Sequence, residues 1–137
     1  MQRLILDTNV IVSALIQKNF PYLILDYCLY GNAKICISSV VFEEYVNVLE
    51  RPKFLRFPNF VLAAETVLGR LKLEAEIFEP STKISLIKDD ADNRFLERAQ
   101  MSKADFLITG NFKNFNMDVF ESTKIVSPNE FWEKHKL

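Results

Sequence analysis

The chain has 137 residues, of which 49% are hydrophobic and 26% are charged, and its formal net charge is −1. This length and composition predict one soluble globular domain, residues 1–137, and exclude a disordered chain. The charge excludes binding of nucleic acid through a global positive field, although a local basic rim stays open. Because the single histidine, His135, lies near the C-terminus, we expect carboxylates rather than a histidine-based triad or zinc site to carry any chemistry.

The cysteines and the apolar runs indicate where the protein resides. Cys28 and Cys36 lie in apolar segments and form no CxxC pair, which favours reduced, buried thiols over a disulfide. Asp7 and Asn9 interrupt the apolar stretch near the N-terminus, so we expect no signal peptide. No run reaches the ~18 apolar residues of a membrane span. We therefore expect a soluble intracellular protein, located in the cytoplasm.

Strands and helices are predicted to alternate along the chain. A strand at residues 4–6 precedes helices at 9–17 and 22–30, the second opened by Pro21. The next elements are a strand in "AKICIS" (33–38), a serine-capped helix in "SSVVFEEYVNVLER" (38–51), a helix at 60–73, a poor strand or extended connection in "AEIFEP" (75–80), a helix in "DDADNRFLERAQMS" (89–102), strands in "DFLITG" (105–110) and "KIVS" (124–127), and a closing helix in "SPNEFWEKHK" (127–136). This alternation predicts a parallel sheet between helices, a three-layer α/β/α fold.

Polar residues follow two of the predicted strands. Residues 7–9, "DTN", come directly after the first strand, and residues 109–111, "TGN", come directly after the "FLI" strand. In open parallel sheets, sites form at the edge where the carboxyl ends of the strands meet. We therefore expect both polar segments at a functional edge.

Two further carboxylates fall on apolar helix faces. At ~100° per residue, Glu44 lies in the apolar arc between Val40 and Val48, whereas Glu43 lies in the polar arc. Asp92 shares a face with the apolar residues that follow it at helical spacing, Phe95, Leu96 and Ala99, while Arg94, Glu97 and Arg98 point elsewhere. An ionised carboxylate on a buried face costs several kcal/mol unless it is compensated.

A divalent cation would compensate Asp7, Glu44 and Asp92 together if they converge in space. The oxygen-only donors indicate Mg²⁺ or Mn²⁺ rather than zinc. Structural roles stay open for each residue alone: Asp7 and Asp92 as helix caps, and Glu44 as a side chain that snorkels to the surface or pairs with a base such as Arg51. For all three together, the metal interpretation is favoured.

Five blocks in this order resemble PIN-domain ribonucleases: "LILDTNVIVSAL", "VVFEEYVNVLERPKF", "KDDADNRFLERA", "ADFLITGNFKNF" and "IVSPNEFW". They look most like the bacterial VapC-like branch, the toxins of toxin–antitoxin pairs, and they cover essentially the whole chain. The resemblance implies a PIN fold and a ribonuclease that hydrolyses RNA phosphodiester bonds with Mg²⁺ or Mn²⁺. It also implies three partners: RNA as substrate, a small antitoxin protein, and a second copy in a homodimer.

The acids of the PIN family fall on Asp7, Glu44 and Asp92. The family's fourth position, often Asp, falls on Asn111, which would be an uncharged metal ligand. The residues that resemble those orienting the carboxylates are Thr8, Asn9, Thr109 and, less specifically, Asp89. The basic residues expected to bind RNA are Arg51, Lys53 and Arg94, with Arg56, Lys88 and Arg98 nearby. The aromatic residues Phe112, Phe115 and Phe120 would either stack on bases or pack in the core or a dimer contact.

Other protein classes fit the sequence less well. A PIN module that binds RNA or a protein without catalysis is supported only by Asn111. A phosphotransfer receiver domain would need an acid after a central strand and a lysine after a later one, but "AKICIS" ends in serine and no lysine directly follows "FLITG". A haloacid-dehalogenase-type phosphatase would need Asp two residues after Asp7, where Asn9 stands.

Overall fold

The computed structural model describes residues 1–80, 83–88, 90–111, 115 and 117–137. The predicted residues Asp89 and Phe112 therefore lie outside the described residues. The strands are β1 (Arg3–Leu6), β2 (Lys34–Ile37), β3 (Glu76–Ile77), β4 (Phe106–Ile108), β5 (Val119–Phe120) and β6 (Thr123–Val126). Within the described part of the chain they form one sheet in the order β3-β2-β1-β4-β6-β5.

The helices lie between these strands, mostly as predicted. They are α1 (Thr8–Ile16), α2 (Phe20–Leu29), α3 (Ser39–Leu49), α4 (Phe60–Glu74), α5 (Asp90–Ser102) and α6 (Pro128–Glu130), with a 3₁₀ helix at Pro52–Arg56 and a π-helical turn at Phe131–His135. Together with the sheet they make the expected three-layer α/β/α fold. None of the helices in the described ranges has the length and apolar character needed to cross a membrane.

Strands β1 and β4 form the centre of the sheet, and both are buried. Leu4, Ile5 and Leu6 are fully buried, as are Leu107 and Ile108. Central strands of a parallel sheet are covered on both faces, which explains their continuous apolar sequences. Because β1 and β4 pair in parallel, their carboxyl ends meet, and the residues that follow them share one edge.

The C-terminal part of the chain differs from the prediction in two places. The sheet is not wholly parallel, because β5 pairs with β6 in antiparallel fashion. A two-residue edge strand is too short to show a strand pattern in the sequence. The closing helix is also shorter than predicted and continues as the π-helical turn. Its predicted cap is confirmed, since the Ser127 hydroxyl accepts a hydrogen bond from the Glu130 N–H at 3.1 Å.

Helix α5 is buried on more faces than predicted. Arg98 and Glu97 were expected to point away from the core, but the exposed fraction is 0% for Arg98 and 8% for Glu97. The guanidinium of Arg98 stacks over the Phe78 ring at 4.5 Å and donates to the Phe78 and Ile37 carbonyls. This burial lowers the pKa of Arg98 to about 10. Arg98 therefore ties α5 to the ends of β2 and β3 and is not a surface residue for RNA.

Both cysteines are free and buried, as predicted. Burial raises the pKa of the Cys28 thiol to about 12, and the neighbouring Cys36 raises it further. Burial also raises the pKa of Cys36, to about 11. Each thiol therefore stays protonated in the folded chain under conditions that ionise it in the unfolded chain.

We predict that these thiols make the fold unstable at high pH. The pKa values of both thiols in the folded chain lie above the ordinary value of 9.0. The contribution of the protonated thiols to the free energy of unfolding is therefore complete below pH 9 and is lost as the pH rises toward 11–12. The loss is at most ~1.4 kcal/mol per pH unit for each thiol. Cys28→Ala should flatten the decline of the free energy of unfolding, measured by urea titration at several pH values above 9. An unchanged slope in the variant would contradict this account.

Candidate active site

Asp7 occupies the carboxyl end of β1 and is only 5% exposed. Its N–H donates to the Ile108 carbonyl at 2.9 Å, which continues the pairing of β1 with β4 by one residue. Its Oδ2 accepts a hydrogen bond from the Thr109 hydroxyl at 2.6 Å. Asp7 precedes α1, but its side chain makes no capping hydrogen bond there. The capping alternative therefore does not describe Asp7, whose carboxylate is held by the neighbouring strand.

Thr109 links Asp7 to the segment that follows β4. Its side chain is fully buried, and its hydroxyl oxygen accepts a hydrogen bond from the Asn111 N–H at 3.0 Å while it donates to Asp7. Asn111 is exposed just beyond this contact. The structure thus places the backbone of Asn111 close to Asp7, and a role of the Asn111 amide as a ligand stays a prediction.

Glu44 reaches the same edge from α3. The buried Thr8, which directly follows Asp7, donates a hydrogen bond from its hydroxyl to a Glu44 carboxylate oxygen. Glu44 itself is half-buried, whereas Glu43 is exposed, as the helical pattern predicted. The pair of threonines therefore orients two acids, Thr109 for Asp7 and Thr8 for Glu44. Asn9, the other predicted neighbour, is exposed in the first turn of α1.

Tyr45 is a positioning residue that the sequence analysis missed. It is fully buried, and its hydroxyl donates to the carbonyl of Leu6, the residue before Asp7. Burial, followed by the charges of Asp7 and Glu44, raises the pKa of Tyr45 well above its usual range. The available signal was its place beside Glu44 on the buried face, since a buried tyrosine needs a partner for its hydroxyl.

Asp92 lies in the first turn of α5 and is 9% exposed. The residues expected on its face are all buried: Phe95, Leu96 and Ala99. Helix α5 packs against β1 and α3, the two elements that carry or precede the other acids. Asp92 therefore belongs to a helix that contacts both β1 and α3.

The three acids supply the hard oxygen donors that Mg²⁺ and Mn²⁺ prefer. Among the residues that the structure describes, no group of three or more His, Cys, Asp or Glu side chains is gathered closely enough to hold a metal ion. The structure joins Glu44 to Thr8, the residue after Asp7, and puts Asp92 on a neighbouring helix. The donor chemistry therefore fits a divalent ion, and the convergence of all three acids stays a prediction.

The predicted RNA-binding residues fall into two groups. Arg51 and Lys53 are exposed at the 3₁₀ helix, where the Lys53 ammonium lies over the Phe54 ring at 5.2 Å. Arg94 is more enclosed, with a side chain that is 20% exposed and forms an ion pair with Glu97 at 2.8 Å. Of the aromatic residues, Phe115 is fully buried in the core and Phe120 is packed against it.

Comparison with known proteins identifies the family. The model of the PIN domain family matches residues 3–113. The chain is 30% identical over 113 residues to the uncharacterized protein MJ1680 of Methanocaldococcus jannaschii, with 80% of this chain and 70% of that protein covered. A chain in the crystal structure of VapBC2 from Rickettsia felis bound to a DNA fragment from their promoter has the same fold, with a TM-score of 0.62, 20% identity, and coverage of 92% of this chain and 98% of that one.

The family match spans β1 to the segment after β4, so it includes Asp7, Glu44, Asp92 and Asn111. PIN domains generally use divalent metal ions, which agrees with the oxygen donors at the carboxyl edge of this sheet. The chain belongs to the PIN domain family.

Proposed function

We propose that this protein is a ribonuclease that hydrolyses RNA phosphodiester bonds with Mg²⁺ or Mn²⁺ held by Asp7, Glu44 and Asp92. The observation that supports this most strongly is the burial of the Asp7 carboxylate against Thr109, with Glu44 attached to the adjacent Thr8. Carboxylate oxygens are the hard donors that Mg²⁺ and Mn²⁺ prefer. Membership of the PIN family supports the same chemistry.

Some side chains of the site would hold the metal ion, and others would orient those ligands or bind RNA. When bound, the divalent ion supplies Lewis-acid chemistry, because it polarises the phosphodiester and makes water a stronger nucleophile at neutral pH. Thr109 and Thr8 hold Asp7 and Glu44 in fixed orientations, as outer partners of metal ligands do. The exposed Arg51 and Lys53 would bind RNA phosphates. Cleavage would leave a 5′-phosphate and a 3′-hydroxyl, as the family resemblance implies.

We infer that the protein is the toxin of a toxin–antitoxin pair and acts in the cytoplasm. The VapBC2 neighbour supports a small antitoxin as partner. An apolar groove of about 600 Å³ between α1, α2 and α4 offers a surface for it. Exposed apolar side chains outside this groove, such as Leu55 and Leu73, also leave surface for a homodimer. A small reading frame beside the gene would support the pairing.

A PIN module with weak or no catalysis is the second candidate. The observation that favours it is Asn111, which puts an exposed, uncharged amide at the position where the family often has a carboxylate. Such a module would bind RNA without cleaving it. Metal-dependent cleavage of a generic single-stranded RNA excludes this candidate, whereas binding without cleavage supports it.

The first prediction of this proposal concerns the acids. Asp7→Asn and Asp92→Asn should each lower Mn²⁺-dependent cleavage of single-stranded RNA by ~100-fold or more, because each removes a negative ligand of the ion. EDTA should abolish cleavage by the wild type. Asp26→Asn, which changes a half-buried carboxylate on α2 outside the site, is the matched control and should cleave normally. Full activity of either site variant, with contaminating nucleases removed, would refute the assignment.

The second prediction separates an orienting role of Thr109 from a purely structural one. Thr109→Val and Thr123→Val each remove a buried hydroxyl that donates a hydrogen bond at 2.6 Å, to Asp7 in the first case and to the Ala104 carbonyl in the second. Both variants should lower the free energy of unfolding by about 1–3 kcal/mol. Thr109→Val alone should weaken Mn²⁺ binding by about 10–100-fold, as measured by calorimetric titration. Equal Mn²⁺ affinity in the two variants would show that Thr109 does not orient a ligand.

A further inference from the structure

A cavity of about 270 Å³ lies between the first turns of α3 and α5. Its lining residues are Val40, Val41, Glu44, Asp90, Ala91 and Arg94. Because Glu44 belongs to both this cavity and the carboxylate edge, a molecule in the cavity would lie directly beside the proposed site of cleavage. The volume is just below the ~300–1,000 Å³ of typical small-molecule sites, so it suits a fragment of one nucleotide.

Both helices contribute apolar side chains to the cavity, beside the charged ones. Val41 is 1% exposed and forms part of the core, whereas Val40 is 51% exposed. Ala91 lies on the opposite wall, at the start of α5. Apolar side chains from two helices can contact the faces of a flat, unstacked base, as the aromatic or apolar side chains of base-extruding enzymes do.

The Arg94 guanidinium is held in place before any ligand binds. One guanidinium nitrogen of Arg94 donates to the Ile84 carbonyl at 3.0 Å and lies 2.8 Å from Glu97 and 3.4 Å from Asp90. With Glu44 and Asp90 at the same cavity, two carboxylates and one cation line it among the residues that the structure describes. These side chains therefore carry no net positive charge to attract a phosphate, whereas the edge of a neutral base can accept from Arg94 and donate to a carboxylate.

We propose that this cavity, the base pocket, binds one unstacked base of the RNA strand, next to the phosphodiester that is hydrolysed beside Asp7 and Glu44. The identification of the strand as substrate rests on the proposed function. Val40 is the wall against which the base packs, and Arg94 is the donor that contacts its edge. Together they determine which base is accepted, and thus where RNA is cleaved.

The test fills the base pocket by enlarging its exposed lining residue, Val40. Val40→Phe places a ring in the cavity, and Val61→Phe is the matched control, since Val61 is 49% exposed on α4 and does not line the cavity. Binding of the four nucleosides and their 5′-monophosphates is followed by NMR chemical shifts with Mg²⁺ present. Wild type and Val61→Phe should bind equally, with shifts at residues 40, 91 and 94. Val40→Phe should bind about tenfold or more weakly, because its ring occupies the space that the base would fill.

Cleavage provides the second readout. On a single-stranded RNA of mixed sequence, Val40→Phe should raise KM more than it lowers kcat and should change the distribution of cleavage sites. Val61→Phe should leave KM, kcat and the distribution of cleavage sites unchanged. If the phenylalanine variant does not fold, Val40→Asp against Val61→Asp tests the same wall by adding charge. Wild-type protein that binds no nucleoside at millimolar concentration, or Val40 variants that bind as wild type does, would overturn the base pocket. Base binding by a wild-type protein that cleaves no RNA would instead refute the ribonuclease and leave the pocket standing.

Discussion

The hydrogen bond between Thr109 and Asp7 fixes the edge on which the proposed chemistry depends. It follows from the register of the two central strands, in which Leu6 lies opposite Ile108, so that the next residues, Asp7 and Thr109, meet at the carboxyl edge. Asp7 is only 5% exposed and follows three fully buried residues, so its carboxylate has lost most of its water and is held by the protein. The other contacts of the site involve the residues next to Asp7 and the helices that pack against them.

Helix α3 is anchored to the same point by two contacts. Thr8 donates to Glu44, and Tyr45 donates to the Leu6 carbonyl. Leu6 and Thr8, the residues on either side of Asp7, therefore bind consecutive residues of α3, which leaves that helix little freedom to slide. Helix α5 is held differently, by polar side chains turned inward. Asn93 accepts from the Leu86 and Ile87 N–H groups, and Glu97 accepts from the Ile84 N–H at 2.7 Å. These contacts position α5, and with it Asp92 and the base pocket, against the rest of the site.

The central features of the fold were predictable because their causes are local. The apolar run before Asp7 predicts β1, since a strand covered on both faces has a continuous apolar sequence, and helical spacing places Asp92 on the same face as Phe95. The burial of Arg98 was not predictable, because a helical wheel counts only apolar residues as inward. Arg98 is buried through the carbonyls of Ile37 and Phe78, which are distant in sequence. Val40 was assigned to the apolar arc, but its half-exposed position at the cavity depends on how α3 and α5 pack together.

The most direct test of the account is the location of a bound ion in a crystal of the wild-type protein grown with millimolar Mn²⁺. Anomalous diffraction at the manganese edge identifies the ion without reference to activity. We expect one strong peak with carboxylate oxygens of Asp7, Glu44 and Asp92 at coordination distance, about 2.0–2.6 Å. If the carboxylate edge is well ordered and shows no anomalous peak, or if the peak lies only elsewhere on the molecule, the proposed metal centre is contradicted.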